Sequence, residues 1–102
     1  MVKIKHYKLI WDDHAFAQLE WYLEQVSNQS KSAPKIIVTR IMNRLKGIQK
    51  SPYICAPDRF KYNNNGIYRA FTVYSYRVTY SIKENQINII RVRHTSEEPL
   101  EY

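Results

Sequence analysis

The sequence predicts an α+β fold, and three observations predict it. The stretch 66–94 alternates β-branched and aromatic residues with polar ones between short turn signals, so it reads as consecutive antiparallel strands. Two segments upstream of it carry apolar residues at spacings of three and four, the period of a helix packed on one side. A further strand-like stretch precedes both. The expected architecture is an N-terminal strand, an antiparallel helical hairpin, and then a three- to four-stranded antiparallel sheet covered on one face by the helices. At 102 residues the chain is expected to form a single domain over 1–102, since a second core would have too little to bury.

The elements follow in order. Residues 2–11 alternate Val2, Ile4 and His6 against Lys3 and Lys5, then turn apolar at Leu9, Ile10 and Trp11, which predicts a strand pairing with the later sheet. Asp12 and Asp13 stand where an N-cap belongs, offering carboxylates to unpaired N–H groups and to the helix dipole. A helix over 14–28 then carries Phe16, Leu19, Leu23 and Val26 as its apolar stripe, flanked by Trp21 and Tyr22, all read as core packing. After a short break, Pro34 is tolerated only in a first turn, so a second helix spans 33–50 with Ile37, Ile41, Leu45 and Ile48 on one face. The short connection makes the two helices a hairpin.

Residues 52–66 are the least regular part of the chain. Asp58 to Tyr62 are expected to form a short edge strand before the turn signal Asn63-Asn64-Asn65-Gly66. Strands then follow over 67–73, 76–83 and 86–94, joined at Tyr74-Ser75 and Glu84-Asn85, where asparagine tolerates a left-handed conformation. In the middle strand Tyr76, Val78, Tyr80 and Ile82 share one face, and Arg77, Thr79, Ser81 and Lys83 share the other. The last strand is apolar on both sides (Ile87 and Ile89 against Ile90 and Val92), which suggests a central strand or a bulge. Residues 95–102 read as a polar tail. With the helices on one face, the other is expected to be open and rich in arginine.

Composition narrows the function. Sixteen Lys and Arg against nine Asp and Glu give a net charge of +7, which favours a polyanionic or acidic partner. Residues 31–50 hold six basic residues (Lys31, Lys35, Arg40, Arg44, Lys46, Lys50) and no acid, suggesting a partner-facing helix surface. No apolar run reaches the length of a membrane span and the N-terminus lacks a signal-peptide core, so a cytoplasmic protein is expected with no membrane partner. Cys55 cannot form an internal disulfide, and is read as a structural or free thiol. His6, His14 and His94 have no metal-ligand spacing and no glycine-rich phosphate loop exists, so no metal and no cofactor are expected.

The pattern Tyr68-Arg69-x-Phe71-x-Val73-x-x-Tyr76-Arg77-Val78-x-Tyr80, followed by Ile87-x-Ile89-Ile90-Arg91-Val92-x-His94, resembles the RelE/ParE superfamily of toxins from bacterial type II toxin–antitoxin modules. The resemblance covers nearly the whole chain. It implies a growth-inhibiting toxin, neutralised in a hetero-oligomer by a cognate antitoxin that is commonly acidic, a charge match that speeds encounter. Two branches compete. RelE-like members cut ribosome-bound mRNA without a metal, using a base, an acid and cations around the attacked phosphate. On that pattern Arg77 is the phosphate-stabilising residue, Arg69 a further cation, and His94 or Tyr102 the acid. Asp58 or Lys61 would add a base or a charge contact, while Phe71 departs from a lysine common there. ParE-like members instead poison DNA gyrase and catalyse nothing themselves.

Arg69-x-Phe71-x-Val73 and Arg91-Val92-x-His94 lean towards the ParE-like branch, whereas Arg77, Arg93 and His94 keep a nuclease open. The target contacts implied are Arg69, Arg77, Arg91, Arg93 and Lys61. Plainer readings stand beside these. Arg77 would be a surface residue paired with Glu84 or a tail acid, a contact of about 0.2–1 kcal/mol. His94 is read first as a strand-end histidine bonded to Glu97 or Glu98. Arg91 and Arg93 share a face with Ile87 and Ile89, so one of them would cap the core edge. Tyr68, Tyr74, Tyr76 and Tyr80 are packing residues. A plain basic nucleic-acid-binding module, binding salt-sensitively to naked RNA or DNA, is the alternative function.

Overall fold

The computed structural model describes residues 6–97 and 100–102. Its elements run β1 (Lys8–Trp11), α1 (Asp13–Ser27), α2 (Ala33–Lys50), β2 (Tyr68–Val73), β3 (Tyr76–Lys83) and β4 (Gln86–His94). The strand expected over 2–11 is thus present from Lys8, while its first four positions, Val2–Lys5, lie outside the described residues. The strands form one sheet in the order β1-β4-β3-β2. The sheet is antiparallel except for β1, which runs parallel to β4 from the pair Lys8–Gln86 to the pair Trp11–Ile89. A parallel neighbour needs a long crossover, and here the two helices lie between the partners.

α1 starts as its capping residues dictate: the His14 N–H donates to Asp12 Oδ1 at 2.9 Å. Its buried face is Ala15, Leu19 and Tyr22, with Leu23 and Val26 packed beside them. The stripe is therefore rotated from the expected one. Phe16 and Trp21 are about half exposed, and Phe16 meets Trp11 edge-on at the margin. α2 buries Ile37, Ile41, Leu45 and Ile48 as expected. α1 lies along β4 and α2 reaches β2, so both cover the sheet face that presents Phe71, Val73, Tyr76, Val78, Tyr80, Ile82, Ile87, Ile89 and Val92.

The two-sided apolarity of β4 has a local cause. Thr79 pairs with Arg91 and Tyr80 with Ile89, leaving Ile90 as the extra residue of a bulge. The bulge shifts the alternation by one. Ile87 and Ile89 face the helices before it, Val92 and His94 after it. Arg91 and Arg93 therefore stand opposite Thr79 and Arg77 on the reverse face, not beside Ile87 and Ile89 as the simple alternation had it.

β1 stops at Trp11, so among the described residues the outer edge of β4 beyond Ile89 has no strand partner, and α1 side chains take its place. Gln18 Oε1 accepts from the Val92 N–H at 2.9 Å, and the Tyr22 hydroxyl accepts from the His94 N–H at 3.1 Å while donating to Glu97. Such capping satisfies backbone that would otherwise offer a pairing template. The turn between β3 and β4 puts Glu84, not Asn85, in the left-handed region, with φ 54°.

Candidate functional site

The reverse face of the sheet is not bare. Residues 58–62 and 100–102 fold across it, and the edge strand expected there is only an isolated bridge between Pro57 and Arg69. Strand geometry fails because Asp58 uses its side chain locally: Oδ1 accepts from the Phe60 N–H at 3.1 Å and turns the chain. Asn64 fixes the next turn, its amide nitrogen donating to the carbonyls of Asp58 and Tyr68 and its Oδ1 accepting from the Gly66 and Tyr68 N–H groups. The tail that read as merely polar is pinned by main-chain bonds from Tyr102 N to Phe60 O at 2.9 Å and from Tyr62 N to Tyr102 O at 2.7 Å.

Asp58 is the hub of this face. It is 2% exposed, and its carboxylate accepts from Arg77 Nη2 at 2.7 Å, Thr79 Oγ1 at 3.1 Å and the Tyr102 hydroxyl at 2.6 Å. Burial pushes its carboxyl up. The hydrogen bonds from Tyr102, Arg77 and the Phe60 N–H, with the Arg77 charge, outweigh burial and leave it below the ordinary carboxylate range. Burial and the bond to Asp58 push the Tyr102 phenol well up. Arg77 is paired with Asp58, not with Glu84 or a tail acid, and its guanidinium also lies 4.8 Å over the Phe60 ring.

Two other cations of the face, Arg91 and Lys61, are stacked on its aromatics. Arg91 lies 4.5 Å over the Tyr102 ring and donates to the Leu100 carbonyl at 2.6 Å. Burial and the neighbouring Arg93 charge draw its own pKa down. Lys61 sits between the Tyr68 and Tyr102 rings, at 4.9 and 5.3 Å. Arg93 stands directly opposite Arg77, an unfavourable like-charge pair. The conflict is eased by giving each a separate acid: Asp58 for Arg77, and a 4.0 Å contact with Glu97 for Arg93. Nε of both Arg77 and Arg93 is buried without a hydrogen-bond partner.

The fold thus gathers Arg77, Arg91, Arg93, Lys61 and Tyr102 on one surface and leaves two other candidates elsewhere. Arg69 pairs with Tyr80 on the helix side. There it donates to the carbonyls of Gly66, Tyr53 and Cys55 at 2.9, 3.1 and 2.6 Å and stacks on Tyr53 at 4.8 Å. His94 faces Tyr76 edge-on at the end of the helix-side core, and its Nδ1 meets Ser96, not a carboxylate of Glu97; Glu98 lies outside the described residues. Phe60 and Thr79 were missed in the sequence. Only Thr79 carried a signal, since it shares a face with Arg77 two positions on. Among the described residues no group of His, Cys, Asp and Glu could hold a metal ion, and no helix is long and apolar enough to cross a membrane.

A helical hairpin over one face of a four-stranded sheet, with a cationic reverse face, defines the class. A solved structure titled as the chromosomal ParDE TA system from P. aeruginosa shares this fold, with a TM-score of 0.69 and 17% identity over 89% of this chain and 98% of that chain. A comparison with curated protein sequences gave no match. The family described as the ParE toxin of the type II toxin–antitoxin system parDE matches residues 9–99. The chain belongs to the ParE toxin family of type II toxin–antitoxin systems.

Proposed function

We propose that this chain is a growth-inhibiting toxin that acts on DNA gyrase, cuts no nucleic acid, and is neutralised by an acidic antitoxin. The observation that supports this reading is the state of the reverse face. A metal-free nuclease needs an unengaged cation for the phosphate and an acid or base beside it. Here Arg77 is neutralised by Asp58, Tyr102 is tied to the same carboxylate with its phenol pushed up, and His94 lies on the other side of the sheet. What remains is a rigid cationic and aromatic surface, Lys61, Arg91, Arg93 and Tyr102, suited to docking. The net charge of +7 suits an acidic neutralising partner.

Induced expression without a partner, with transcript 5′ ends mapped during the arrest, tests the reading. The expected result is arrest with intact messages and an induced DNA-damage response. Codon-phased cuts in messages would overturn it.

A further inference from the structure

A trough without an acid runs along the exposed side of α2. One part, of about 740 Å³, lies between α2 and the end of β2, with Lys35, Ile36, Arg40 and Tyr74 in its walls. A second, of about 270 Å³, continues it past Gly47 to Ile54 and Cys55, and Asn43 and Arg44 line both. Lys46 and Lys50 are exposed on the same helix. Cations therefore extend from Lys35 to Lys50, about 22 Å at the rise of a helix. Among the described residues none of them takes part in an ion pair. Two are held ready: Arg40 lies 5.3 Å over the Tyr74 ring and Arg44 5.0 Å over the Phe71 ring. Stacking engages the face of a guanidinium and leaves its edge N–H groups for an oxyanion. Ile36 and Tyr74 at one end, and Ile54 at the other, are about half exposed or more. Gly47 is the odd member. It lies exposed inside α2, its φ is not in the left-handed region, and nothing stands within 4 Å of where a Cβ would be. Neither backbone geometry nor packing asks for glycine there, and it weakens the helix relative to alanine. What it provides is room for an outside chain to come against the helix backbone.

We propose that this trough seats a short stretch of single-stranded DNA. Its phosphates would lie along Lys35, Arg40, Arg44 and Lys46, its backbone closest to α2 at Gly47, and a base on the face of Tyr74 not taken by Arg40. A cationic groove with an aromatic platform suits a single strand, because every linkage carries a charge and every base offers a stacking face. A duplex keeps its bases stacked inside and would leave Ile36 and Tyr74 unused. An acidic peptide would answer the cations only at intervals, where the trough offers them along its whole length. A second copy of this chain would bring +7 against +7. The choice of DNA over RNA rests on the gyrase reading above, since that target works on DNA; the seat for a single strand does not.

The test titrates the full chain into a short fluorescent oligothymidylate and follows its anisotropy. Binding is expected to fall with added salt. Lys46→Gln should reduce the slope of log K against log salt by about 0.7, the share of one phosphate on a single strand. Tyr74→Asn, which suits the φ of 53° at that turn, should weaken binding by about fivefold or more through the lost stacking. Gly47→Ala is the decisive variant. It should melt higher than the unaltered chain yet bind at least about tenfold more weakly, a combination that misfolding cannot produce. Binding unchanged by Gly47→Ala, amide shifts confined to the Arg91 and Arg93 face, no binding, or equal binding of the matched duplex, oligouridylate or polyglutamate would each overturn the proposal. A chain that leaves gyrase uninhibited yet holds the oligonucleotide in the trough would end the toxin reading and spare the seat. A chain that inhibits gyrase without holding it would end the seat alone.

Discussion

A carboxylate removed from water is tolerated only where donors replace its hydration, and Asp58 finds them in Arg77, Thr79, Tyr102 and the Phe60 N–H. Asp58→Asn keeps the shape but removes the charge, leaving a guanidinium only 18% exposed without its partner. Chemical denaturation should show a loss of about 3 kcal/mol. The depressed carboxyl also sets a pH dependence. Its stabilisation is fully present above the unfolded-state value of about 4, and is lost as pH falls through the lower folded-state value. The unaltered protein should weaken across that acid window, and Asp58→Asn should show a flatter acid limb; equal slopes would contradict the assignment. Arg69 makes a contrasting case. Its fork ties the turn at Gly66 to the carbonyls of Tyr53 and Cys55, so Arg69→Ala should cost about 2 kcal/mol. Arg69→Lys should recover little, since a point charge cannot reproduce the fork. The partner of Arg77 was not legible because it lies in a segment without periodicity, 19 residues upstream. The face of Arg77 was legible, because strand alternation fixes it.

Periodicity made the elements readable. The buried row of α2, the strand ends at Val73, Tyr76, Lys83, Gln86 and His94, and the places of both hairpin turns follow from spacing. The residues in the left-handed conformation, Tyr74 and Glu84, do not follow from turn chemistry. A bulge cannot be placed that way. A single extra residue at Ile90 moves Arg91 and Arg93 to the opposite face, and nothing local in the sequence marks which residue is extra. Nor does spacing show that α1 would cap the exposed edge of β4 through Gln18 and Tyr22. Tyr22→Phe removes the acceptor for the His94 N–H and the bond to Glu97, and should lower stability by about 1 kcal/mol in a denaturant titration. Gly47 lies inside α2 with nothing within 4 Å of where a Cβ would stand. Gly47→Ala should therefore raise stability by about 0.5–1 kcal/mol, the helical penalty of glycine; a loss would mean that the last turn of α2 moves.

Across the whole molecule the two faces of the sheet are treated differently. The helices bury an apolar face, while residues 58–62 and 100–102 cover the other with polar bonds and stacked rings rather than with a second core. The sequence foretold the first face and misjudged the second as open, because a hydrogen-bonded cover leaves no hydrophobic pattern to read. The difference bears on function, since it holds Arg77 in an ion pair with Asp58, stacks Lys61 and Arg91 on Tyr102, and sets Arg93 beside Glu97. The most direct measurement is a supercoiling assay with purified gyrase and relaxed plasmid, run beside a ribosome–message cleavage assay with the same protein. Loss of supercoiling with the message left whole is the predicted result. Unimpaired supercoiling together with a cut message would contradict it.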